Sequence, residues 1–170
     1  MDTKDDELFD YLYPINEGHD MGIISEAGCP CIADPGAKIV SLAHEKNIKV
    51  IPLTGPSSII LALMASGLNG QAFTFHGYLP IDNMERHKKI KQLEEDSGKT
   101  QCTQIFIETP YRNNKMLETI LKVCNPATQL CIASELTSAN EWIKTKPIAD
   151  WKNETTDLHK KPVIFLIQSA

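Results

Sequence analysis

Gly22-Ile23-Ile24-Ser25-Glu26-Ala27-Gly28-Cys29-Pro30-Cys31-Ile32-Ala33-Asp34-Pro35-Gly36 opens on an apolar run and ends in a loop of small and rigid residues. The run Met21–Ile24 reads as a short buried strand. Gly28 and Gly36 allow positive φ and close approach to a ligand. Pro30 and Pro35 stiffen the chain between them. Ile39, Val40, Leu42 and Ala43 then give helical spacing from Pro35 to Glu45, and Ile48–Ile51 reads as the next strand. An apolar helix follows from Ser57 to Ala65, stopped by Ser66-Gly67. Strands and helices alternating over short links predict α/β wiring with a parallel sheet.

Beyond Leu68-Asn69-Gly70 the pattern changes. Phe73–Phe75, Ile105–Ile107, Leu130–Ala133 and Val163–Ile167 read as strands, with Glu141–Thr145 as one more. Asp82–Glu95 reads as a charged helix whose Asp82 and Glu85 have capping-box spacing, and Pro110–Cys124 as another helix. This half is expected to be a mixed sheet with helices packed on it. The domain boundary is placed near Gly70, giving domains 1–69 and 70–170. A further helix is expected at Asp6–Asn16. Asp34-Pro35, Gly55-Pro56 and Thr109-Pro110 are expected to start helices with proline at the first helical position. Helix N-termini beyond the carboxyl ends of strands offer free N–H groups, which suits a ligand rich in acceptors.

The 170 residues carry 17 Lys and Arg against 22 Asp and Glu, a net charge of −5. That balance disfavours nucleic-acid binding through overall charge, while Arg86-His87-Lys88-Lys89-Ile90-Lys91 reads either as a local phosphate grip or, with Glu94, Glu95 and Asp96 following, as a solvated helix face. No apolar run reaches the roughly 18 residues a membrane span needs. The acidic start, Met1 to Glu7, does not read as a signal peptide, so a cytoplasmic location and no membrane association are expected. Five cysteines, an odd number, argue against a disulfide framework, and their spacing predicts no metal site.

Six segments, in order, resemble one family. Ser25-Glu26-Ala27-Gly28-Cys29-Pro30-Cys31-Ile32-Ala33-Asp34-Pro35-Gly36 resembles its Ser-Asp-Ala-Gly-Thr-Pro-Gly-Ile-Ser-Asp-Pro-Gly signature. Pro52-Leu53-Thr54-Gly55-Pro56-Ser57 resembles Pro-Leu-Pro-Gly-Pro-Ser, and Ala65-Ser66-Gly67-Leu68 resembles Ala-Ser-Gly-Leu. Gly77-Tyr78-Leu79-Pro80 resembles Gly-Phe-Leu-Pro. Phe106-Ile107-Glu108-Thr109-Pro110-Tyr111-Arg112 resembles Phe-Tyr-Glu-Ser-Pro-His-Arg, and Ala133-Ser134-Glu135-Leu136-Thr137 resembles Ala-Arg-Glu-Leu-Thr. The family is the tetrapyrrole methylase superfamily, in the branch resembling ribosomal RNA small-subunit methyltransferase I.

The resemblance implies two α/β subdomains with a cofactor cleft between them, methyl transfer from S-adenosylmethionine, and a homodimer. It implies cofactor contacts at Gly28, Cys29, Pro30, Ala33, Ser57, Ser58, Thr109 and Leu136, all bordering one concavity. It implies ribosomal RNA as the acceptor, methylated at a ribose 2′-hydroxyl of a cytidine. A tetrapyrrole or other small molecule, or a chain that has lost the cofactor, remain as alternatives. Cys31 stands where close relatives usually have glycine, and Cys29 where distant ones have aspartate. Family members begin with a strand, a glycine- and proline-rich loop and a helix. No such loop is found before Met21, so the first subdomain is expected to be truncated, with an open sheet edge and weak cofactor binding.

Methyl transfer from a sulfonium asks mostly for alignment. A base near a hydroxyl proton would still help. Glu26, Glu108 and Glu135, at strand or loop ends, are the candidates for it. Arg112 is the candidate partner for a phosphate or carboxylate. His76 is expected to be a loop histidine.

Overall fold

The computed structural model describes residues 10–170. The chain forms two compact units, Met1–Ser57 and Ser58–Ala170. The first contains α1 (Tyr13–Asn16) and α2 (Ala37–Glu45). Leu12 and Leu42 are buried there, with Ile15, Ile39 and Ile48 packed against them. The beginning of the helix expected at Asp6–Asn16 lies outside the described residues.

Two expected strands do not form. Met21–Ile24 and Ile48–Ile51 are irregular, and no strand occurs among the described residues before Phe73. The parallel sheet expected for the first half is therefore absent from the described residues. An apolar run becomes a strand only when a neighbouring backbone accepts from its N–H groups and donates to its C=O groups, and neither segment has such a neighbour among the described residues. Ile24, Ile51 and Leu53 are left exposed at 91, 63 and 88 %.

The second unit holds α3 (Ser58–Ser66), β1 (Phe73–Tyr78), α4 (Asn83–Thr100), β2 (Thr103–Ile107), α5 (Asn113–Val123), β3 (Gln129–Ser134), β4 (Trp142–Pro147), α6 (Ile148–Trp151) and β5 (Val163–Gln168). The five strands make one sheet in the order β1-β2-β5-β3-β4. β1 pairs with β2 in parallel, and the other three pairings are antiparallel. The mixed sheet is the expected one, and the strand suspected at Glu141–Thr145 is β4.

Side chains alternate across the sheet, as a period of two requires. Phe106, Leu130, Ile132, Val163, Phe165 and Ile167 join Ile90, Leu93, Met116, Ile120 and Trp151 of α4, α5 and α6. Ile105, Cys131, Ala133, Ile164 and Leu166 face Ala62 and Leu63 of α3. The sheet is thus covered on both faces, which explains why β2, β3 and β5 are nearly continuous apolar runs.

Asp82 caps α4, its carboxylate accepting the N–H groups of Met84 at 2.9 Å and Glu85 at 3.0 Å. Those contacts, led by Glu85, hold the Asp82 carboxyl below its usual range. The proline starts differ from expectation. α2, α3 and α5 begin at Ala37, Ser58 and Asn113, two to three residues after Pro35, Pro56 and Pro110. Gly36 and Arg112 occupy the N-cap positions of α2 and α5 without a capping side chain. Each proline ends the incoming loop instead of opening the helix.

Candidate functional site

In the first unit the loop after Ile24 folds back on itself. Ser25 Oγ donates to the Ala27 carbonyl at 3.0 Å and accepts the Ala27 N–H at 3.3 Å. Cys29 Sγ donates to the Pro56 carbonyl at 3.6 Å. That contact sets Gly28-Cys29-Pro30 beside the turn that carries Ser57. Cys31 and Ala33 have φ of 68° and 55°, and Gly28 has 76°. A left-handed conformation costs a non-glycine residue about 1 kcal/mol, so two strained residues lie in a loop built from small ones. A concavity of about 310 Å³ is lined by Ile23–Glu26, Asp34–Gly36 and Ile39. Glu26 lines it, while Gly28, Cys29, Pro30 and Ala33 do not.

In the second unit β1, β2 and β3 run in one direction, so their carboxyl ends share one end of the sheet. Glu108 and Thr109 leave β2 there, Glu135 and Leu136 leave β3, and Tyr78 ends β1. The opposite end holds the C-terminal side of α3. Asn69 N–H donates to Gln168 Oε1 at 2.8 Å, and Thr103 Oγ1 donates to the Asn69 carbonyl at 2.9 Å. α3 therefore runs against β1–β3, and its first residue, Ser58, points back to the end where Thr109 and Leu136 emerge. That is the end where open α/β sheets take ligands, with a helix N-terminus contributing free N–H groups.

Glu108 is a buried carboxylate, its side chain 1 % exposed. Its Oε1 accepts the Thr109 N–H and Arg112 Nη2, both at 2.6 Å. The bond to Glu108 holds the Arg112 guanidinium even more firmly protonated than usual. Glu135, at φ 52°, donates its N–H to the Pro162 carbonyl at 2.9 Å. Thr137 is also left-handed, at 69°, and its N–H reaches Glu141 Oε2 at 2.6 Å. Among the described residues, the buried side-chain atoms without a partner are Arg112 Nε, Asn113 Oδ1 and Ser134 Oγ. All three lie at this same end of the sheet. Backbone strain and unpaired polar atoms gather at functional sites because the surrounding fold holds them against their local preference.

The chain is similar along most of its length to ribosomal RNA small subunit methyltransferase I of two bacteria. The Vibrio cholerae protein is 34 % identical over 153 residues, covering 88 % of this chain and 52 % of that protein. The Escherichia coli O157:H7 protein is 32 % identical over 160 residues, covering 92 % and 54 %. Among solved structures, the methyltransferase CobJ matches 97 % of this chain and 71 % of its own with a TM-score of 0.64 at 16 % identity. Uroporphyrin-III C-methyl transferase from Thermus thermophilus, complexed with S-adenyl homocysteine, matches 96 % and 73 % with a TM-score of 0.52 at 13 % identity. The chain is thus similar to the tetrapyrrole methylase superfamily, in the branch of ribosomal RNA small-subunit methyltransferase I, and shares the fold of the two solved methyltransferases. No protein-family profile matches it. It spans about half the length of the curated relatives it matches.

The departure from the family signature at Cys31 has a physical consequence. Its φ of 68° is one that glycine adopts freely and cysteine does not. Gly36, at φ 123°, sits against it: a Cβ there would lie 3.1 Å from Cys31 Sγ. Cys31→Gly is expected to raise stability by a few tenths of a kcal/mol. It removes left-handed strain of about 1 kcal/mol but adds freedom to the unfolded chain. Urea unfolding measures it, and a clear loss of stability would show that the thiol packs favourably.

The sequence reading missed the strain at Glu135 and Thr137 and the unpaired atoms of Asn113 and Ser134. Non-glycine residues give no sign of a left-handed backbone, and Asn113 reads as an ordinary helix-start residue. Arg86, expected on a phosphate grip or a solvated helix face, belongs to neither. Arg86 is buried, 2 % exposed, with Nη1 on the Ile81 carbonyl at 2.9 Å, Nη2 on Asn83 Oδ1 at 2.7 Å and Nε on Thr119 Oγ1 at 3.3 Å. Ile90 is buried too, so the run splits between core and surface. His76, expected in a loop, lies in edge strand β1 and hydrogen-bonds Gln104 Oε1 of the adjacent β2 at 2.6 Å. Among the described residues no helix is long and apolar enough to cross a membrane.

Proposed function

We propose that this chain is the cofactor-handling and acceptor-facing part of an S-adenosylmethionine-dependent methyltransferase whose acceptor is ribosomal RNA, at a ribose 2′-hydroxyl. The observation that carries the reading is the shared sheet end where Ser58, Thr109 and Leu136 emerge beside strained and unsatisfied groups. The names of its relatives supply the ribosomal RNA, and the resemblance of its motifs supplies the 2′-hydroxyl.

The residues present fit the cofactor. An adenosyl amino acid needs small side chains for close backbone approach, N–H donors for its carboxylate and acceptors for its amines. Gly28, Cys29, Pro30, Ala33 and Ser57 are the proposed contacts in the first unit. Ser58, Thr109 and Leu136 are those in the second, with Ser58 presenting a helix N-terminus. When bound, the cofactor supplies an activated methyl group on a sulfonium. The protein's part is then to align the acceptor oxygen with that methyl and to exclude water.

A hydroxyl acceptor must also lose its proton. Glu108 already holds Arg112 and a backbone N–H, so we read it as the residue that positions Arg112. Glu135 and Glu26 remain the proposed proton acceptors, and Arg112 the proposed anion contact. We take residues 1–69 as belonging to the cofactor domain and 70–170 as the second domain, in a homodimer. Titration with S-adenosylhomocysteine tests the reading. Saturable heat is expected, and none at millimolar ligand would overturn it.

A further inference from the structure

The carboxyl ends of β1 and β2 carry two large aromatic groups in water. Tyr78 is 58 % exposed and Tyr111 71 % exposed. Tyr78 pairs with Ile107 in the register of β1 and β2, and Tyr111 lies in the turn four residues beyond Ile107. Tyr111 meets His159 edge-on, ring centroids 5.9 Å apart at 71°. Lys160 follows, with a left-handed backbone at φ 59° that its N–H bond to the Pro110 carbonyl, 3.0 Å, holds in place. Its side chain is exposed and makes no ion pair with a carboxylate among the described residues. Arg112 stands next to Tyr111, steered from below by buried Glu108.

Exposed phenol rings offer flat apolar faces that a stacking partner can cover. Cations beside them select what that is. A flat π-face flanked by positive charge suits a nucleobase joined to a phosphate, since stacking and charge neutralisation act together. Duplex RNA hides its base faces, so the ligand must be single-stranded. We infer that Tyr111, with Tyr78 beside it, stacks an unpaired RNA base while Lys160, His159 and Arg112 take the adjoining phosphates. Thr109, a proposed cofactor contact, lies two residues away. The inference therefore rests on the methyltransferase reading for its biological meaning and deepens it by naming the acceptor's handhold.

The test is fluorescence anisotropy of this chain, without cofactor, on a short labelled single-stranded RNA at low salt. Tyr111→Ala is expected to weaken binding roughly tenfold to a hundredfold, the usual loss for one stacked base. Tyr111→Phe keeps the ring and should bind like the parent. Lys160→Ala should lower the slope of log affinity against log salt by about 0.7. A duplex of equal length should bind more weakly and show little response to Tyr111→Ala. Overturning results are parent-like affinity in Tyr111→Ala, an equal loss in Tyr111→Phe, or no RNA binding at low salt. Loss of a dimer in Tyr111→Ala by sedimentation would also overturn it, since the patch would then be a protein interface. Heat from S-adenosylhomocysteine, measured on the same variants, keeps the two readings apart. Binding of cofactor without RNA sinks only this inference, and binding of RNA without cofactor sinks only the methyltransferase reading.

Discussion

Arg86→Ala is expected to unfold at a free energy about 3–4 kcal/mol below the parent. Its guanidinium bonds Ile81, Asn83 and Thr119 with 2 % of the residue exposed. Removing it leaves the buried Thr119 hydroxyl and the partly buried oxygens of Ile81 and Asn83 short of a donor, and it opens a void where the side-chain stem packed. For a chain of 170 residues that corresponds to a melting temperature roughly 10 °C lower. RNA affinity of the folded variant should stay within about twofold of the parent at low salt, because a buried cation neutralises no phosphate. Lys88→Glu, on the exposed side of the same helix, should leave stability within about 0.5 kcal/mol of the parent. Normal stability with weakened RNA binding in Arg86→Ala would return Arg86 to the phosphate grip that its sequence suggests.

The second large effect is expected at Glu108. Glu108→Gln keeps the shape but removes the charge that holds Arg112 at 2.6 Å. Breaking a buried ion pair costs 3–5 kcal/mol when both partners are buried. Here the Arg112 side chain is 32 % exposed, so water recovers part of it and about 2 kcal/mol is expected. Arg112→Leu alone should cost a similar amount. The double variant should lose clearly less than the sum, because neither charge is then left unpaired. Simple additivity in urea unfolding would mean that the pair is not coupled, and Glu108 would again be free to act as a base.

What the sequence made legible follows from how local each cause is. β2, β3 and β5 were readable because residues buried on both faces must be apolar on both faces, and the alternating core contacts bear that out. β4 was half readable, since Trp142 and Ile143 turn toward the helices and Ala133's neighbours while Lys144 and Lys146 reach Glu154. Met21–Ile24 and Ile48–Ile51 look the same in composition yet form no strand, because a strand is a property of a pair. Arg86 defeated the reading for the opposite reason. About half a turn of helix separates buried Arg86 from exposed Lys88, and only the packing of α4 on α5 decides which face is covered. The candidate site was legible where glycine and proline mark the backbone, at Gly28–Gly36. It was hidden where the strain falls on Glu135 and Thr137. The resemblance pointed to Thr109 and Leu136, and only the common direction of β1, β2 and β3 brings them to one end of the sheet.

The central claim is that this chain handles S-adenosylmethionine through two named sets of residues. Backbone amide chemical shifts, followed while S-adenosylhomocysteine is added, test it most directly, because they register weak binding residue by residue. The account predicts saturable shifts at Gly28, Cys29, Ala33, Ser57, Ser58, Thr109 and Leu136, with the amides of β4 and the second half of α4 unmoved. Shifts centred elsewhere, or none at millimolar ligand, would contradict it.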